Sequence, residues 1–240
     1  MRRFLRAFRE FNRNRQFLDL PAWHREILER VSPFTMVGAE STLSTISAVE
    51  YVIKHSIPGA IVECGVWRGG QMMAAALTLL RLGEQRELVL FDTFSGMTEP
   101  GVDDLDLNGE KAASVFQEYS KKQVGQRWCE AGVDEVRRNM ASTGYPMESC
   151  RLSQGAVEET IPAEAPESIA YLRLDTDWYE STLHEFEHLY PRVSTRGVVV
   201  VDDYGHWQGA RKATDEYLMA KGIPALLHRI DYTGRQFIKP

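Results

Sequence analysis

The 240-residue chain has little cysteine: Cys64, Cys129 and Cys150 are the only three, and no two form a C-x-x-C pair. That excludes a disulfide scaffold and fits free thiols in a reducing compartment, the cytoplasm. No window approaches the run of about 18 apolar residues that a membrane span needs, and the first residues lack the apolar stretch of a secretory signal. A protein neither integral to a membrane nor exported is expected. Excess positive charge is missing as well. With 28 Lys and Arg against 34 Asp and Glu, the net charge of −6 argues against generic nucleic-acid binding, which needs a basic footprint. No repeat and no low-complexity segment is present. The 43% hydrophobic content, 18 Gly and 10 Pro describe one globular domain with a sizeable core.

The charge is uneven. Residues 1–16 hold six arginines and a single acid, Glu10, and Phe4, Leu5, Phe8 and Phe11 recur at helical spacing. This predicts a basic amphipathic arm that packs on the domain or on a second subunit, with attachment to a membrane surface as the alternative. Over residues 20–55, Trp23, Ile27, Leu28 and Val31 form one helical stripe, Pro33 breaks it, and Leu43 to Ile53 form a second.

From Gly59 the pattern changes to short β-rich runs alternating with helical stretches: 60–62, 88–91, 149–152, 169–174 and 197–201. Buried strands alternating with helices imply an α/β fold with a mostly parallel sheet covered on both faces. The segments 225–230 and 235–238 flank Tyr232, Thr233 and Gly234, which predicts a final antiparallel hairpin. The organisation expected is an N-terminal helical arm and covering segment over 1–58, then a ligand-binding domain over 59–240. Within that domain the long stretch 99–146, acidic at first and helical later, reads as a lid, or else as a solvated helical excursion.

Four strand ends carry chemistry. The run Ile61 to Gly70 leads an apolar strand into a G-x-x-x-G-G turn and a helix from Gln71 to Leu80. Such a turn lets backbone approach a ligand while the helix N-terminus offers free N–H groups. It is not the G-x-G-x-x-G pyrophosphate fingerprint. Glu63 at the strand end suits a ligand with a cationic amino group, although glycines chosen only for packing would read alike. Asp92, ending the second strand, is placed to accept the two hydroxyls of an adenosine ribose; a solvent-facing turn residue is the alternative. Asp175 ends the fourth strand, with Asp177 two residues on, and Asp202 and Asp203 end the fifth. Carboxyl ends of parallel strands share one crevice, so Asp175, Asp202 and Asp203 should converge and repel. A hard divalent cation such as Mg²⁺ would resolve that repulsion, since all ligands are oxygens.

Glu63-Cys64-Gly65-Val66-Trp67-Arg68-Gly69-Gly70, Phe91-Asp92-Thr93-Phe94, the stretch Leu174 to Thr182, and Asp202-Asp203-Tyr204-Gly205 together resemble the macrocin O-methyltransferase family. The resemblance runs from about Met36 to Lys239. It implies a Rossmann-like class I methyltransferase fold with a seven-stranded sheet. It also implies S-adenosylmethionine and a divalent metal as cofactors, and a sugar or glycosylated natural product of antibiotic biosynthesis as hydroxyl acceptor. By the same resemblance Glu63, Gly65 and the loop through Trp67 and Gly69 to Gly70 hold the methionine portion and Asp92 the ribose, and Gln71 is a further cofactor-binding candidate. Ala156, Val157 and Glu158 would hold the adenine edge, and Met36, Glu40 and Ser41 belong to a segment closing over the cofactor. Asp175, Asp202 and Asp203 match the family's metal ligands, and a homodimer is favoured.

A sulfonium methyl is already activated, so the enzyme has to align the acceptor oxygen and lower the cost of its deprotonation. Asp175, Asp177 and His206 are the candidate bases, with His206 also readable as a plain surface residue. Two rival readings exist. Asp175-Thr176-Asp177 after an apolar strand resembles the D-x-D metal motif of nucleotide-sugar glycosyltransferases, and the same fold without turnover would be a non-catalytic S-adenosylmethionine-binding module.

Overall fold

The computed structural model describes residues 17–122 and 127–240. The amphipathic arm read in residues 1–16 lies outside the described residues. Helix α1 (Ala22–Val31) ends where Pro33 opens a short 3-10 turn, and α2 (Ala39–Lys54) follows. The second helix starts earlier than its apolar stripe because its first turn carries polar residues. Strand β1 (Ala60–Cys64), α3 (Gly70–Leu82) and β2 (Leu88–Asp92) come next, then α4 (Ala112–Lys122) and α5 (Val133–Ser142). The chain continues through β3 (Cys150–Gln154), the single-turn α6 (Val157–Thr160), β4 (Ile169–Leu174), α7 (Tyr179–His188), β5 (Val193–Val201) and α8 (Gln208–Ala220). It ends with β6 (His228–Arg229) and β7 (Arg235–Ile238).

Seven strands form one sheet in the order β3-β2-β1-β4-β5-β7-β6. The first five run parallel, and β7 and β6 return antiparallel. The final hairpin is present, but only two residues of the run 225–230 pair with β7. Leu226 is 83% exposed at this sheet edge, so the apolar letters there mark surface rather than strand.

Strand alternation builds two cores. Ile61, Leu88, Leu90 and Tyr171 face α1, α2, α3 and α5, while Val62, Val89, Phe91 and Leu172 face α7 and α8. Each face is sealed, as parallel sheets require. The long stretch 99–146 is therefore not of one kind. Val136 and Met140 of α5 are fully buried in the first core, making α5 the crossover helix that joins two parallel strands. Residues 101–112 are pinned elsewhere, onto α7 and α8. No helix among the described residues is long and apolar enough to cross a membrane.

Candidate active site

The order of the sheet reverses beside β1: the chain moves outward through β2 and β3, then returns to β4 on the other side. A crevice opens at such a point, beyond the carboxyl ends of the strands. There, Gly65 has a φ of +78°, and a Cβ on it would meet the Asp175 carbonyl oxygen at 1.9 Å. A Cβ on Gly70 would likewise meet the Phe34 carbonyl oxygen at 2.5 Å. These glycines let β1 approach β4 and let the helix start tuck under the covering segment.

Asp92 organises the turn. Its Oδ2 accepts the Val66 N–H at 2.7 Å and the Trp67 N–H at 3.1 Å, and its Oδ1 accepts the Phe94 N–H at 2.7 Å. Burial pushes the Asp92 carboxyl up, and these N–H groups pull it back. Gly155 donates its N–H to the Asp92 carbonyl at 3.0 Å, bringing the 155–158 loop to the same place. The cleft between them holds about 710 Å³ of empty space, part of it open to solvent. Met36, Gly65, Trp67, Asp92 and the loop Ala156 to Glu158 line it, and so do Asp175 and Asp177. Thr93, Met97, Cys129 and Ser181 also line it, and the sequence assigned none of them a site role. Ser181 sits four residues beyond Asp177 on the first turn of α7, a spacing that could have drawn attention to it.

The remaining cofactor candidates are not among the residues lining this cleft. Gln71 is engaged structurally: its Nε2 donates to Thr35 Oγ1 at 3.1 Å and Thr42 Oγ1 at 3.0 Å, and its Oε1 accepts from Thr45 Oγ1 at 2.7 Å. It fastens the covering segment, which carries Glu40 and the buried Ser41, to α3. Gly69 shapes the turn before α3 with a φ of +86°. Glu63 is 1% exposed and is held from the side by an arginine.

That arginine is the feature sequence reading missed. Arg173, the penultimate residue of β4 and 1% exposed, donates from Nε to Glu63 Oε1 at 2.9 Å, from Nη1 to Asp202 Oδ1 at 2.8 Å and from Nη2 to Asp175 Oδ2 at 2.9 Å. The carboxylates at the strand ends thus have a resident compensating charge, contrary to the expectation that only a metal could supply it. An arginine inside an apolar strand is itself a signal, because a buried guanidinium demands acid partners.

Asp202 is turned toward Arg173, whereas Asp175, Asp177 and Asp203 each offer a carboxylate oxygen within 4.8 Å of the others. Asp203 Oδ2 is buried without a hydrogen-bond partner. Burial, and then the neighbouring Asp175, push Asp177 up to about 7; burial and the surrounding acids also raise Asp175 and Asp203. His206 stands apart from the cleft: its Nδ1 is 2.8 Å from the Tyr232 hydroxyl, in a neighbouring surface groove with Tyr204 and Arg211.

A doubly wound sheet with a C-terminal antiparallel pair, a glycine turn braced by a strand-end aspartate, and acids gathered at the fourth and fifth strand ends define a class I O-methyltransferase architecture. Residues 25–239 match the family model described as "Macrocin-O-methyltransferase (TylF)". The chain is 33% identical over 202 residues to the demethyldecarbamoylnovobiocin O-methyltransferase of Streptomyces niveus, covering 83% of this chain and 73% of that protein. It is 32% identical over 201 residues to the 8-demethyl-8-(2,3-dimethoxy-alpha-L-rhamnosyl)-tetracenomycin-C 4'-O-methyltransferase of Streptomyces olivaceus, with the same two coverages. The solved structure of the O-methyltransferase NovP superposes with a TM-score of 0.74 at 31% identity, covering 86% of this chain and 82% of that one. The chain belongs to the macrocin O-methyltransferase family. The glycosyltransferase reading of the D-x-D segment is set aside by this membership.

Proposed function

We propose that this protein transfers a methyl group from S-adenosylmethionine to a hydroxyl of a sugar or glycosylated natural product, with a divalent cation held by the acid cluster. One observation carries the reading: a single cleft runs from Asp92 and the 156–158 loop to Asp175 and Asp177. Its first half suits an adenosine and its second a polar acceptor. The sugar acceptor is supported by the printed activities of the family relatives.

The residues fit both absent groups. Gly65 keeps the turn clear of side chain, and Asp92 holds Val66 and Trp67 in place at the cleft wall. Asp175, Asp177 and Asp203 form an all-oxygen donor set with one orphaned buried oxygen, which suits Mg²⁺ or another hard ion. When bound, such an ion lowers the cost of an alkoxide on the acceptor. S-adenosylmethionine supplies a methyl group already activated on sulfur. The chain's own part is alignment and proton removal: Asp177, a carboxylate lining the cleft, is the group placed to take a hydroxyl proton. Asp202 serves differently, as the partner of Arg173. We further infer a homodimer through residues 1–16, tested by sedimentation of a chain lacking them.

The test is calorimetry with S-adenosylhomocysteine, followed by assays over pooled glycosides with and without chelator. Binding, and metal-dependent turnover cut roughly 10- to 100-fold by Asp203→Asn with unchanged S-adenosylhomocysteine affinity, are expected. No binding of S-adenosylhomocysteine would sink the methyltransferase reading. Full activity in excess chelator, with no metal retained on elemental analysis, would dismiss the cation.

A further inference from the structure

Asp177 has a backbone conformation that L-residues avoid. Its φ is +69°, and the Trp178 N–H donates to the Thr176 carbonyl at 2.8 Å around it. A hydrogen bond spanning two residues about a centre of positive φ marks a tight three-residue turn of the rare, strained kind. Strain of this sort persists only where the surroundings hold it. The side chain is held by an indole: Trp207 Nε1 donates to Asp177 Oδ2 at 3.1 Å. Trp207 is 5% exposed and has little freedom of its own. Its ring packs edge-on against Trp178 at 5.2 Å, and its backbone N–H donates to the Asp203 carbonyl at 3.0 Å.

We propose that Trp207 is the positioning residue for Asp177, acting on the acceptor through that carboxylate; this rests on the methyltransferase reading above. An indole N–H can only donate, so its bond to Asp177 has one polarity. The indole fixes the Oδ2 end of the carboxylate and with it the direction in which Oδ1 is presented. Because Trp207 and Asp203 lie on one loop after β5, the same backbone that places Asp203 also places the donor that aims Asp177.

The test compares wild type with Trp207→Phe, Trp207→His and Trp23→Phe. Trp23→Phe is the control, since it removes a partly buried indole on α1 that packs against the first core, away from the cleft. Crystal structures should show the Asp177 carboxylate displaced in Trp207→Phe and in place in Trp23→Phe. In turnover, Trp207→Phe should lose roughly 10- to 100-fold in kcat with the KM for S-adenosylmethionine unchanged, while Trp23→Phe keeps kcat. Trp207→His, smaller but still an N–H donor, should recover part of the loss and seat the carboxylate better than Trp207→Phe. An unmoved Asp177 in Trp207→Phe, an equal loss in Trp23→Phe, or a Trp207→His protein no better than Trp207→Phe overturns the assignment. Absence of methyl transfer in wild type would instead overturn the proposed function, and the position of the Asp177 carboxylate would still decide the role of Trp207.

Discussion

Arg173 Nε donates to Glu63 Oε1 at 2.9 Å, joining the carboxyl ends of the fourth and first strands across 110 residues of sequence. Burial raises the Glu63 carboxyl to about 8 against the pull of that guanidinium. Replacing Arg173 by Met removes the charge that Glu63, Asp175 and Asp202 share and leaves buried acids uncompensated. A loss of about 3–5 kcal/mol in urea unfolding is expected. A variant as stable as the wild type would show that the acids are neutral without the arginine.

Asp92→Ala removes the acceptor of three backbone N–H groups, so its effect should be double. Stability should fall by about 1–3 kcal/mol, and S-adenosylhomocysteine should bind at least tenfold more weakly. Wild type at 100 times the dissociation constant should gain about 2.7 kcal/mol from the ligand. Calorimetry and thermal shift read both effects. Unchanged affinity in a destabilised variant would confine Asp92 to a structural role.

How much of this was legible from the letters depends on distance along the chain. The strand ends, Asp92 and the glycine turn were readable because apolar runs and their punctuation are local. The Arg173 array was not, because its three acids come from three strands and the pairing exists only once the sheet is assembled. Asp202 and Asp203 read as equivalent neighbours, yet successive residues at a strand end turn opposite ways, one to Arg173 and the other to the acid cluster. The stretch 99–146 was ambiguous for another reason: Val133 and Val136 have an ordinary helical spacing that does not reveal whether the helix covers a site or crosses between strands.

Asp104 anchors the first part of that stretch. Only 2% exposed, it accepts the Tyr179 N–H on Oδ1 at 2.8 Å and the Gly101 N–H on Oδ2 at 2.7 Å. A Cβ on Gly209 would meet Asp104 Oδ1 at 2.0 Å. Asp104→Ala should cost about 1–3 kcal/mol. Gly209→Ala should also destabilise, and less so in the Asp104→Ala background, because the clash partner is gone. Strict additivity in the double-mutant cycle would contradict the contact.

Glu185, fully buried on α7, has its Oε1 3.0 Å from Thr176 Oγ1, faces the Cys64 thiol and has Glu158 nearby; its Oε2 lacks a partner. Burial, the largest cause, raises its carboxyl from 4.5 to about 8. Between those values the folded chain keeps a proton that the unfolded chain releases. The contribution to stability is therefore complete below pH 4.5 and lost as pH rises through about 8. Glu185→Gln, which fixes the uncharged form, should flatten this decline and gain on the order of 1 kcal/mol over wild type at alkaline pH. Parallel stability curves for the two proteins would show that Glu185 does not titrate in this range.

The placement of the tryptophans makes the protein its own optical probe. Of the five, Trp67 lines the cleft, and Trp128, Trp178 and Trp207 form one cluster with ring separations of 5.2 to 6.4 Å, leaving Trp23 alone on α1. Indole emission is thus weighted to one corner of the molecule, where ring-to-ring energy transfer is short-ranged. A titration with cofactor or acceptor can be followed there without a label. Conversely, a melting curve recorded by fluorescence reports the loosening of this corner, and only circular dichroism recorded beside it would reveal whether the far edge of the sheet lets go at the same temperature.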